Sequence, residues 1–122
     1  MPEFRHPDEA EVEARGEGWQ VTVLADERHI PSLRMAARHW TVEPSVRTSE
    51  WSNPGPDERV LYVISGRGAA LVGAERLDVG PEDLIWLEPG DTFALEAADE
   101  PLRVLDAASA MGAGVTRLIA DR

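Results

Sequence analysis

Between Arg59 and Phe93 the chain never sustains an apolar run long enough for a helix. Val60-Leu-Tyr-Val-Ile64 stops at Ser65-Gly-Arg-Gly68, and Leu84-Ile-Trp-Leu87 stops at Glu88-Pro-Gly-Asp91. Short apolar runs rich in β-branched and aromatic residues, each cut off by glycine or proline, are strand signals. The flanking sequence follows the same rule. Trp19-Gln-Val-Thr-Val-Leu24, Phe93-Ala-Leu-Glu-Ala97 and Leu102-Arg-Val-Leu-Asp-Ala107 all alternate. Many short strands with turns at intervals of about eight to twelve residues, and no long helical period, predict an all-β sandwich or barrel.

The segment from Leu33 to Val42 lies between Pro31 and Pro44 and reads as one long strand. Its period of two puts Met35, Ala37, His39 and Thr41 on one face. Arg34, Ala36, Arg38, Trp40 and Val42 fall on the other. Helix remains an alternative over Arg34–Arg38, because Ala, Met and Arg are good helix formers. Val46 to Trp51 reads as a short strand, followed by the loop Ser52–Asp57. Residues 1–18 form an N-terminal arm, in which Asp8–Arg15 makes either one or two helical turns or a loose segment. Residues 19–107 form the β domain and residues 108–122 a tail, with Val115–Ala120 a last strand or a helical turn.

Composition removes several classes of function. A chain of 122 residues suits one domain with one core. Its net charge of −11 argues against nucleic acid and anionic membrane as partners. It has no cysteine, hence no disulfide, thiolate nucleophile or thiolate metal site. All 12 basic residues are Arg, which leaves no lysine for a Schiff base or a P-loop. No apolar run nears the ~20 residues of a membrane span, and no secretory pattern opens the chain. The expected compartment is the cytoplasm.

The core stretch resembles the cupin family, a small jelly-roll β-barrel. The residues that carry the likeness are Tyr62-Val-Ile-Ser-Gly-Arg-Gly68, Asp83-Leu-Ile-Trp-Leu87 and Pro89-Gly90, with Val42-Glu-Pro-Ser-Val-Arg-Thr48 as the turn into the first cupin motif. The resemblance implies an all-β, cupin-type jelly-roll barrel over about residues 19 to 107. It also implies where metal ligands would stand, and here the chain departs from the pattern. The His-x-His position falls at Trp51-Ser-Asn53, the Glu position on Arg59 beside Glu58, and the last His position on Phe93. Trp and Phe donate nothing to a cation and Arg repels one. No metal and no cofactor are expected.

Strand parity puts Arg59, Leu61 and Val63 on one face, which the resemblance makes the barrel lining. An inward Arg59 would hold a carboxylate, phosphate or enolate oxygen. The alternative register leaves it on the rim, paired with Asp57 or Glu58. His39 is the candidate proton carrier because imidazole titrates near neutrality; the alternative is a hydrogen-bonded His on the outer face. His6 and His29 read as solvated. Trp51, Asn53, Leu61, Phe93 and Leu95 are the candidate substrate-binding residues, with Trp86 a further ring, and suit an aromatic or anionic small molecule.

Two functions follow from the resemblance. One is a metal-independent enzyme working by proton transfer, an isomerase, epimerase, dehydratase or cyclase, with His39 moving the proton and Arg59 holding the oxyanion. The other is a non-catalytic module that binds or senses a small molecule. A homodimer using Trp40 or Tyr62 is a further expectation.

Overall fold

The computed structural model describes residues 6, 8, 10–25, 35–53, 58–109 and 119–120. Expectations that concern His29, Pro31, Asp57 or the tail from 110 to 118 lie outside the described residues. The strands are β1 (Glu11–Gly16), β2 (Trp19–Ala25), β3 (Met35–Val42), β4 (Trp51–Ser52), β5 (Arg59–Ser65), β6 (Gly68–Val72), β7 (Glu75–Val79), β8 (Leu84–Leu87), β9 (Thr92–Ala97), β10 (Leu102–Ser109) and β11 (Ile119–Ala120). They form a six-stranded sheet in the order β1-β2-β3-β10-β5-β8 and a five-stranded sheet in the order β11-β4-β9-β6-β7. Every pairing is antiparallel, and the all-β jelly-roll expectation is met.

The inner face of each strand follows from the period of two. In β5, Arg59, Leu61 and Val63 are buried while Val60 and Tyr62 are half-buried and Ile64 is exposed. In β10, Leu102, Val104, Asp106 and Ala108 are buried, and in β3 the fully buried side chains include Trp40, Arg38 and Val42. These inner faces meet Trp51, Phe93 and Leu95 of the second sheet in one core. Each fully buried Leu or Phe contributes about 1.5–3 kcal/mol. The core is floored by rings. Trp19 stacks on Trp40 at 6.0 Å, and Trp51 and Phe93 meet Trp40 edge-on at 6.0 and 5.8 Å. Trp40 is therefore wholly interior and is no dimer contact.

The structure departs from the sequence expectations in four places. Residues 11–16 are neither helical turn nor loose arm but a strand, paired with β2 and packing Ala14 against the core. The sheets thus reach beyond 19–107 at both ends, since β10 runs to Ser109 and β11 pairs with β4. Between Val46 and Trp51 the pairing is confined to a single bridge from Arg47 to Glu96 and to Trp51 itself. Strand β7 was hidden because its burial is slight: Glu75 to Asp78 are exposed, so no apolar alternation marks it.

Gly66-Arg-Gly68 makes no hairpin. Strands β5 and β6 belong to different sheets, and the segment is the corner where the chain crosses between them. Gly66 has φ +87°, and a Cβ there would collide with the carbonyl oxygen of Pro101; one on Gly68 would meet the carbonyl oxygen of Glu96. Both obstacles are backbone, which has no rotamer to yield. Gly73, in the true β6–β7 hairpin, has φ +58° but open space around it. Gly66→Ala should therefore cost more than about 2 kcal/mol in urea unfolding. Gly73→Ala should cost about 1 kcal/mol, from the left-handed conformation alone. Equal losses would show that steric closure at the corner is not the cause.

Candidate functional site

Arg59 points inward and is fully buried, which settles its register. Its guanidinium is held on two sides. Nε donates to Asn53 Oδ1 at 3.1 Å, and Nη1 donates to Asp106 Oδ1 in a fully buried ion pair. Trp40 Nε1 donates to the other Asp106 oxygen at 2.9 Å. Asn53 is itself fastened to the Glu88–Asp91 turn. Its Nδ2 donates to the Glu88 carbonyl at 3.1 Å, its backbone N–H to Asp91 at 2.8 Å, and Gly90 N–H donates back to it at 2.7 Å. The Pro-Gly turn read from sequence thus acts at a distance: it orients Asn53, and Asn53 orients Arg59.

Among the described residues, Arg59 Nη2 and Trp51 Nε1 are buried donors of the interior without a hydrogen-bond partner. An unmade hydrogen bond on a buried donor costs about 1–3 kcal/mol, so an orphan of this kind calls for an explanation. A cavity of about 290 Å³ lies on the outer side of the six-stranded sheet at Val60, Trp86 and Ala107, with Glu58 and Ser109 at its edge; it touches Arg59, whose side chain is wholly buried beneath it.

A metal does not fit this arrangement. Among the described residues no cluster of three or more His, Asp or Glu could hold a cation. Asp106, the buried carboxylate, has both oxygens occupied by N–H donors, and a guanidinium stands where a ligand would be needed.

Asp106 and Arg38 were missed by sequence reasoning. Asp106 shares parity with Leu102 and Val104, and Arg38 shares parity with Trp40 and Val42, so period-two counting carries the signal for both. Arg38 is opposite Asp106 across the β3–β10 ladder and pairs with Glu13 Oε1 of β1 at 2.6 Å.

His39 is the principal correction. It does share a face with Met35, Ala37 and Thr41, but that is the outer face of the six-stranded sheet. Its neighbours across the ladders are Thr22 and Leu105, and Arg103 Nη2 lies 3.2 Å from its Nε2. It is not placed to pass a proton to anything in the barrel. Burial, followed by the charge of Arg103, pushes its pKa below the ordinary 6.5. Trp86 is likewise on the outer face, 52% exposed. Trp51, Asn53, Leu61, Phe93 and Leu95 are brought together inside, but the four apolar members pack on one another as core.

No family model matches this chain, and no curated protein matches it. Solved structures do. The polyketide cyclase RemF from Streptomyces resistomycificus aligns with a TM-score of 0.75 at 17% identity, over 100% of this chain and 87% of its own. A cupin-2 domain protein from Rhodospirillum rubrum aligns with a TM-score of 0.73 at 20% identity, over 100% and 81%. KdgF from a Halomonas species aligns with a TM-score of 0.71 at 15% identity, over 90% and 96%. The chain has the cupin fold, the double-stranded β-helix. Its interior, with a pinned arginine at the expected Glu position and Trp51, Asn53 and Phe93 around the expected imidazole positions, sets it apart from the metal-binding pattern.

Two outcomes follow. Asp106→Asn strands the Arg59 charge in the core and should cost about 3–5 kcal/mol by urea unfolding. Glu96→Gln, which loosens the solvent-facing pairs to Arg47 and Arg76, should cost less than about 1 kcal/mol. For His39 the folded pKa lies below the unfolded one, so the folded state resists protonation. Its stabilising contribution is present above the ordinary 6.5 and is lost as pH falls through the lower folded value. Between about pH 8 and about pH 5, the wild type should lose stability relative to His39→Gln as pH falls; parallel curves would refute the shift.

Proposed function

We propose that this chain is a metal-independent cupin that binds a small organic molecule inside its barrel, with Arg59 Nη2 receiving a carboxylate, carbonyl or enolate oxygen. The observation that carries this reading is the orphaned Nη2 on a guanidinium whose other two nitrogens are pinned. A donor fixed in advance binds an oxyanion without the usual ordering cost. Trp51 Nε1 is a second interior donor without a partner, and its ring suits a flat ligand.

A catalytic use of the same interior is a second reading. It is favoured by the likeness to proteins named as a polyketide cyclase and an ectoine synthase. Arg59 would then hold an oxygen whose negative charge grows during an isomerisation, dehydration or cyclisation. The proton carrier in that case is a group other than His39.

Both readings require an interior oxyanion site, and benzoate with its neutral analogue benzamide probes it. Benzoate should raise the melting temperature in a saturable way and benzamide should not. Arg59→Lys keeps the charge but loses the planar fork, and should weaken benzoate binding about tenfold or more. Unchanged affinity in that variant, or no benzoate response in the wild type, would overturn the reading. Solvent-deuterium uptake into bound carbon acids, at substoichiometric protein, separates turnover from binding alone.

A further inference from the structure

The outer face of the six-stranded sheet holds a polar cluster that the interior site does not use. Gln20 and Thr22 of β2, His39 and Thr41 of β3 and Arg103 of β10 line a cavity of about 370 Å³. All five side chains leave the sheet on the side opposite Trp40, Arg38 and Asp106. His6 and Asp8 close one side of it.

The cavity presents one guanidinium, that of Arg103. The molecule carries a net charge of −11, and several of its arginines have a carboxylate close to hand. Arg38, Arg47, Arg59 and Arg76 all have one. Arg103 makes no such pair among the described residues. Its contact is with a histidine, Nη2 to Nε2 at 3.2 Å. Since a guanidinium only donates, Nε2 must accept, which makes His39 neutral with its proton on Nδ1. His39 Nδ1–H is then a donor without a partner among the described residues, on a residue that is 5% exposed. Thr22 Oγ1 is engaged with the His39 carbonyl at 3.4 Å, while Thr41 and Gln20 add polar groups at the cavity wall. Among the described residues Asp8 is the one acid at the rim. Its side chain is 90% exposed, so water screens it, and it lies 3.6 Å from His6 Nδ1.

We propose that this cavity is a second ligand site, a receptor for a small oxyanion — the phosphate or carboxylate group of a metabolite — held by Arg103 with His39 and Thr41. The guanidinium offers its remaining N–H donors in a fork that fits two oxygens of one group. His39, wedged between β2 and β10, is oriented by the Arg103 bond and cannot swing away. The site stands on the opposite side of the sheet from Arg59 and does not depend on the interior reading.

The test is a heteronuclear NMR titration of the full chain with inorganic phosphate and, separately, with acetate, at ionic strength held constant with chloride. Saturable shifts are expected at the amides of Gln20, Thr22, His39, Thr41 and Arg103. Saturation by phosphate alone assigns a phosphate ester as the ligand class, and saturation by acetate assigns a carboxylate. Arg103→Gln, at an exposed position, should weaken binding roughly tenfold or more. His39→Leu should also weaken it and serves if the first variant fails to fold. The proposal is overturned by shifts that rise linearly as with chloride, by shifts centred on Asn53 and Arg59, or by affinity unchanged in both variants.

Discussion

The fully buried pair of Arg59 and Asp106 is the interaction around which the interior is arranged. Two charges leave water together, which is costly unless their remaining hydrogen bonds are met. The fold supplies partners from four directions and leaves Arg59 Nη2 without one: Asp106 from β10, Trp40 from β3, Asn53 just beyond β4, and the Glu88–Asp91 turn behind Asn53. Elements far apart in sequence are thereby set against one side chain. The aromatic floor is tied into the same arrangement, because Trp40 both donates to Asp106 and packs against Trp19, Trp51 and Phe93. Apolar packing alone would tolerate sliding among these rings. A hydrogen bond to a pinned carboxylate does not.

That arrangement bears on how this barrel differs from a metal-binding one. A cation site gathers lone pairs and leaves them unpaired until the metal arrives. Here the interior gathers N–H donors, and its carboxylate is already neutralised. On the function proposed above, the vacant capacity is of the opposite sign and suits an acceptor. The molecule keeps the cupin architecture, and the proposed guest is an oxyanion in place of a cation.

Period-two patterning made much of the fold legible. It placed Arg59 with Leu61 and Val63, and Arg38 with Trp40 and Val42, as the structure has them. What it does not convey is which face looks inward. In the segment Leu33–Val42 the sequence puts two arginines on one face and a histidine on the other, so patterning alone left open which face lines the barrel. The deciding fact was remote: Glu13, on a strand that the acidic N-terminal sequence did not suggest, neutralises Arg38 and lets it be buried. Gly66 and Gly68 were legible as turn residues. That they sit against the backbone of Pro101 and Glu96, and so turn a corner between sheets, depends on segments about thirty residues away along the chain. Local sequence holds propensities, and contacts of that span decide how they are used.

The four tryptophans have a consequence in spectroscopy. Trp19, Trp40 and Trp51 lie with their ring centres no more than 6.1 Å apart, at interplanar angles of 25°, 85° and 75°. Indoles so close and so inclined share their electronic transitions, and chromophores coupled in a fixed chiral frame give paired bands of opposite sign in circular dichroism. Trp86 stands apart on the outer face, in contact with water, and emits as an isolated, solvated indole. The chain therefore carries two optical populations without any label. Disturbance of the interior is read in the coupled bands, and events on the outer surface beside β8 in the emission of a single ring.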